Sequence, residues 1–459
     1  MKTNFSRLGL FLCVAMLPAF SSRALTTLYS FTNKFDGSQP YAGLALGSDG
    51  NFYGTCFSGG TNEFGSVFKI TPGGALTPAH SFSFLDGSQP TAALAQGVDG
   101  NFYGTTFEGG TSVFDSEYGY GTVFQISTNG VFNSLYSFTD GVDGGGPYAG
   151  LAQGTNGAFY GTTAYGGTNG DGAVFQITTT GALTPLYSFT NGVDGSQPRA
   201  ALTLASDGTF YGTAYQGGSN GLGVVFHLTA AGALTPLHSF KGASEGANPL
   251  GQLLQWTNGI LYGTTYAGGP SNCGTVFKIT TGGAFSNLYS FTNGIDGAFP
   301  GAGLALGSDG NFYGMTYGGG PNGVGGIFKI TPQGALTPLY LFTGGNDGSS
   351  SYATLAQGSD GDFYGTALAG GAKGDGVVFK LNVYSTAPVL TSITRSSGAI
   401  GFTWLGLPGQ SYQAQYATNL NQTTWSALGS PVTATNGIGS QTDSAPGNTR
   451  RFYRVYLAP

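Results

Sequence analysis

Seven carboxylates recur at one position of a repeating unit: Asp36, Asp86, Asp143, Asp194, Glu245, Asp296 and Asp347. Gathered on one face, they would make an acidic rim able to draw cations or a basic partner. The competing reading is a turn, because an Asp before Gly bonds its own backbone. Calcium needs roughly six to eight converging oxygens, and one acid per unit spaces them widely. The turn reading carries more weight, and no metal or cofactor is expected.

A second group is irregular. One unit is longer than its neighbours, and the extra segment within Thr111–Tyr120 carries Phe114, Asp115, Glu117, Tyr118 and Tyr120. Aromatics beside acids can stack on a sugar and hydrogen-bond its hydroxyls. An inserted surface loop is also tolerated at little thermodynamic cost. Glycosidase chemistry needs two carboxylates about 5–10 Å apart, so Glu108 with Asp115 or Glu117 is a pair to follow. The three histidines offer less. His80 and His238 stand where other units have Tyr29, Tyr136, Tyr187, Tyr289 and Tyr340, and His227 takes the slot of Lys69 or Gln125. No Gly-x-Ser-x-Gly elbow, His-Glu-x-x-His or phosphate-binding loop occurs, and no catalytic residue is expected.

These residues are set out by a repeat. Phe52-Tyr53-Gly54-Thr55 returns at Tyr103, Tyr160, Tyr211, Tyr262, Tyr313 and Tyr364, with steps of 50, 57, 51, 51, 51 and 51 residues. Val67-Phe68-Lys69-Ile70 and Leu28-Tyr29-Ser30-Phe31 recur in step with it. A period near 50 points to propeller blades or a solenoid. Within a unit the turns mark four short strands, as in 148–153, 158–163, 173–178 and 183–189. Asp-Gly or Asn-Gly separates the first two in every copy (Asp49, Asp99, Asn156, Asp207, Asn258, Asp309, Asp360), which predicts two-residue hairpins with positive φ at both central positions. Four antiparallel strands repeated radially make a blade.

The ends choose between ring and solenoid. Leu25–Phe31 reads as a lone fourth strand, and the last unit has only three, ending near Val383. Pairing Leu25–Phe31 with Val377–Val383 would close a seven-bladed β-propeller and remove an aggregation-prone edge. An open solenoid would need polar caps, and none is visible.

Composition agrees. Of 459 residues 84 are Gly, 14% are aromatic and 8% charged, which excludes a disordered chain and a coiled coil. Residues 1–24 have the form of a signal peptide: Lys2 and Arg7, an apolar run from Leu8 to Phe20, then Ser22-Arg23-Ala24. Cys13 follows Leu12 rather than a small residue, which argues against a lipid anchor. Cleavage removes Lys2, Arg7 and Arg23, leaving 12 basic against 21 acidic residues, a net of −9. A negative chain is poorly suited to nucleic acid, and no later segment is apolar enough to span a membrane. Cys56 and Cys273 fall in different units at different slots, so buried thiols are expected rather than a bridge.

The unit Asp-Gly-x-x-Pro … Phe-Tyr-Gly-Thr … Gly-Gly … Val-Phe-x-Ile … Gly-Ala-Leu-Thr-Pro-Leu-Tyr-Ser-Phe resembles the GloVer (Gloeo_Verruco) tandem repeat from Leu25 to about Val383. The resemblance implies an exported bacterial protein with a kelch-like propeller, and no catalytic residues. Composition shifts at Tyr384–Pro388, a linker. Residues 389–459 carry Trp404, Tyr412, Trp425 and Phe452-Tyr453-Arg454-Val455-Tyr456 in alternating strands. They suggest a small β-sandwich and resemble a fibronectin type III-like module. The chain ends without a hydrophobic tail, so no membrane anchor is expected. The expected domains are therefore a signal peptide (1–24), propeller (25–383), linker (384–388) and sandwich (389–459). The expected function is secreted, extracellular, cell-surface or periplasmic binding of a glycan or protein without catalysis. The alternative is an extracellular carbohydrate-active hydrolase or lyase.

Overall fold

The structure, a computed structural model, describes residues 25–112, 118–256, 259–383, 388–396, 399–406, 410–418, 424–435, 438–444 and 451–457. The proposed signal peptide, the Asn258 turn and residues 384–387 of the linker lie outside them. Every named element is a strand. Seven sheets of four antiparallel strands account for residues 25–381.

The first is typical. β1 (Leu25–Ser30) belongs elsewhere; β2 (Ala45–Leu46), β3 (Phe52–Cys56), β4 (Ser66–Ile70) and β5 (Leu76–Ser81) pair in chain order. β3 is buried throughout and β4 nearly so, as expected of strands covered on both faces. Gly54 faces Phe68 across the ladder. A Cβ there would sit 2.5 Å from the Phe68 ring and 2.9 Å from Leu44, so glycine is what lets the ring lie flat on the strand. Neighbouring sheets meet through a repeated ring contact: Tyr53 with Phe102 at 4.1 Å, Tyr103 with Phe159 at 4.2 Å, Tyr160 with Phe210 at 4.3 Å.

The same contact joins last to first, Tyr364 with Phe52 at 4.2 Å. β1 pairs with Val377–Leu381, from Leu25 opposite Leu381 to Ser30 opposite Val377. Thr366 Oγ1 also donates to the Ala42 carbonyl at 2.8 Å, the bond that Thr55 makes to Ala92 and Thr105 to Ala149.

Two expectations need correction. The first strand of the third unit, read as 148–153, keeps ladder pairing only at Ala152–Gln153. The residues before it, from Tyr148 to Leu151, line the space where the units meet instead of pairing within their own sheet, and a Cβ on Gly150 would lie 2.8 Å from the Ala93 carbonyl of the adjacent unit. The Asp-Gly turns are not two-residue hairpins either. Gly50 has φ +77° but Asp49 is not left-handed. The Gly50 and Gly47 amides donate to the Gly47 and Asn51 carbonyls, and Asp49 Oδ1 accepts from the Asn51 amide. The side chain thus closes a longer turn in which glycine alone takes positive φ.

Beyond Val383, Val389–Ser396, Ala399–Leu405 and Ile438–Asp443 form one sheet. Ser411–Ala417 pairs with Ser426–Ala427, Val432–Thr433 and Phe452–Leu457 in another. Phe402, Trp404, Tyr412, Ala414 and Ala434 make a core of their own.

Candidate functional site

The repeated acids occupy the connection from the fourth strand of one sheet to the next unit. Asp143 Oδ2 accepts from the Tyr136 hydroxyl at 3.1 Å and the Thr139 amide at 2.9 Å, and its Oδ1 accepts from Thr139 Oγ1 at 2.5 Å. Asp36, Asp194, Asp296 and Asp347 repeat this with Tyr29, Tyr187, Tyr289 and Tyr340. The two histidines in the tyrosine slot do the same work. His80 Nε2 meets Asp86 and His238 Nε2 meets Glu245, both at 3.0 Å. Each carboxylate is therefore engaged inside its own turn. Among the described residues no three His, Cys, Asp or Glu side chains are grouped to hold a metal. The seven acids close turns and do not converge.

Their phenol partners predict an alkaline transition. Burial first, and the adjacent carboxylate second, push Tyr29, Tyr136, Tyr187, Tyr289 and Tyr340 up to about 12, against an ordinary 10.0. A raised folded value favours the neutral phenol. The contribution is whole below pH 10 and disappears between pH 10 and 12, where the unfolded chain ionises first. The melting temperature should hold to pH 10 and fall steeply above it, with phenolate absorbance appearing in the unfolding step. Phenolate appearing near pH 10 with the fold intact would contradict the clamps.

The inserted loop leads to a different place. Phe114, Asp115 and Glu117 lie outside the described residues. Tyr118 is exposed and lines a cleft of about 530 Å³ between the first and second sheets, whereas Tyr120 packs against the core between the second and third. The cleft walls are Phe57, Phe64, Phe84 and Tyr118, with Glu63, Glu108, Ser58, Ser88 and Gln89 supplying polar groups. Backbone pairing of Ser88 with Glu108 ties the two kinds of loop together. The volume is that of a small-molecule site. Burial pushes the Glu108 carboxyl above the usual range.

Two cleft residues also depart from the repeat. Glu63 has φ +67°, at the slot filled elsewhere by Gly119, Gly170, Gly221, Asn272, Gly323 and Gly374. Phe84 has φ +62°, where other units use Asn33, Asp140, Asn191, Gly242, Asn293 or Gly344. A left-handed backbone is costly for residues of these types, about 1–2 kcal/mol each, and such strain gathers at functional sites. Phe64 and Phe84 meet at 5.5 Å across the cleft. Of the acids considered from sequence that lie among the described residues, only Glu108 enters the cleft. Its companion Glu63 was not foreseen, although alignment of the units marks it as the one carboxylate in a glycine slot.

A model of the Gloeobacter/Verrucomicrobia repeat matches residues 17–153, 110–306 and 257–426, reaching past Val383. No curated protein matches the chain. Among solved structures it is similar to the extracellular domain of BT3049, assigned to a hybrid two-component system of B. thetaiotaomicron, at 11% identity and TM-score 0.51, over 95% of this chain and 55% of that one. The chain thus spans about half the length of that domain. The gluconolactonase XC5397 of Xanthomonas campestris matches at 13% identity and TM-score 0.41, over 79% of this chain and 92% of that one. Likeness to the BT3049 domain at such identity concerns the all-β, propeller-like fold alone.

Proposed function

Because the chain belongs to the Gloeobacter/Verrucomicrobia repeat family, we propose that it is a secreted, seven-bladed propeller that binds a glycan in the cleft between its first two blades. Residues 1–24 direct export, 384–388 link, and 389–459 form a fibronectin-like β-sandwich. Asp36, Asp86, Asp143, Asp194, Glu245, Asp296 and Asp347 are assigned to turn closure. The observation that carries the binding reading is the convergence of Glu63 and Phe84, both in a backbone state foreign to their residue types, on one aromatic-walled cleft. Flat rings suit the apolar faces of a sugar, and Glu63 and Glu108 suit its hydroxyls.

The test is a glycan array probed with the full chain, with a variant lacking 111–120, and with Glu63→Gly. Glu63→Gly releases about 1–2 kcal/mol of strain against about 0.5–1 kcal/mol of added glycine entropy, so stability should rise by up to about 1 kcal/mol while array binding falls. Binding unchanged in both variants would exclude the cleft. A second reading rests on one feature: two carboxylates share the cleft, one with a raised pKa, as a glycoside hydrolase requires. Sugar release by the wild type that vanishes in Glu108→Gln would replace the binding reading with the enzymatic one.

A further inference from the structure

Equivalent residues of all seven units surround a narrow central channel of about 160 Å³. At one slot, immediately after the proline of most units, stand Tyr41, Thr91, Tyr148, Arg199, Leu250, Gly301 and Tyr352. Arg199 is the sole arginine in 25–383 and, among the described residues, the sole charged one lining the channel.

Its surroundings hold a cation without supplying a counter-charge. The guanidinium lies over Tyr215 at 4.5 Å and Tyr148 at 5.6 Å, an arrangement that favours a cation through the ring faces. Nη2 donates to Gln197 Oε1 at 2.8 Å. Nε is buried without an acceptor, and no carboxylate pairs with Arg199 among the described residues. A cationic fork left partly unpaired in a chain with excess acid is a poor choice for stability alone.

Tyrosines complete the surface. Tyr41 stacks on Tyr352 at 4.8 Å and meets Tyr148 edge-on at 5.9 Å. The Tyr41 and Tyr148 hydroxyls bond to each other, which uses one of their two protons and leaves the other to donate. Burial pushes Tyr41, Tyr148 and Tyr352 upward, so all three phenols stay neutral and none repels an anion.

We propose that this mouth of the channel binds a small organic carboxylate, with Arg199 as the counter-charge and the tyrosines as its walls. Planar fork and planar carboxylate match in geometry. The body carrying the carboxylate, a uronic acid ring or a short free acid, rests on the tyrosine rings. This site is separate from the cleft and does not depend on it.

Calorimetric titration of the full chain with glucuronate, acetate and glucose tests the proposal. Glucuronate should bind, and Arg199→Gln should weaken it at least tenfold. Arg199→Lys, which keeps the charge and loses the fork, should fall between them. Acetate binding as tightly as glucuronate would support the site with a free acid as ligand. Equal binding by wild type and a folded Arg199→Gln, or no binding of either acid by wild type, would overturn it. Should Arg199→Gln melt early, Arg199→Lys decides: unchanged glucuronate affinity there refutes the fork. Neutral-glycan signals on the array should be the same in all three proteins, which separates this site from the cleft.

Discussion

Deletion of Leu25–Ser30 is expected to leave a chain that no longer unfolds in a single cooperative step and that aggregates. The strand it would strip, Val377–Leu381, is buried at four of its five positions, and its freed edge would be long and apolar. The milder Phe31→Ala isolates the packing part. Phe31 is fully buried, edge-on to Phe68 at 5.2 Å and to Tyr29 at 5.3 Å. Removing such a ring costs about 3–5 kcal/mol, against a total of roughly 5–15 kcal/mol for a folded domain. Urea unfolding followed by circular dichroism, with light scattering, reads both. A deletion variant within about 1 kcal/mol of wild type would show that the first strand is dispensable.

Asp143→Ala should cost about 3 kcal/mol, more than most single substitutions. The carboxylate is buried and serves three donors. Truncation strands the Thr139 amide and two hydroxyls, at about 1–3 kcal/mol for each buried donor left unpaired. The outward Asp49, exposed and bonded to Lys69 and Asn51, supplies the contrast: Asp49→Ala should cost about 1 kcal/mol. Were the repeated acids a cation rim, Asp143→Ala would leave the metal-free protein as stable as wild type and remove stabilisation by added calcium. Thermal melts with calcium and with chelator separate the two.

The strand order and the pairing of Leu25–Ser30 with Val377–Leu381 could be read from sequence because they follow from counting. Seven copies of Phe-Tyr-Gly and one displaced fourth strand admit few closed arrangements. What the acids do could not be counted. Asp143 is an equally good ligand or turn clamp until Tyr136 and Thr139 are seen around it. The cleft escaped for another reason. Glu63 and Phe84 are ordinary residue types, and their meaning lies in a positive φ that only the repeat alignment hints at. Tyr118 was singled out because a length change is visible in the sequence. Arg199 belongs to no motif, and the only signal it carries in sequence is its solitude in a repeat region otherwise without arginine.

Hydrogen exchange of the full chain, with and without the strongest neutral glycan from the array at saturation, tests the binding assignment most directly. Added glycan should slow exchange at the amides of 57–64, 84–89, 108–109 and 118–119, and leave the other sheets unchanged. Protection on other sheets, or none at saturation, would contradict the cleft between the first two sheets as the place where this protein meets a glycan.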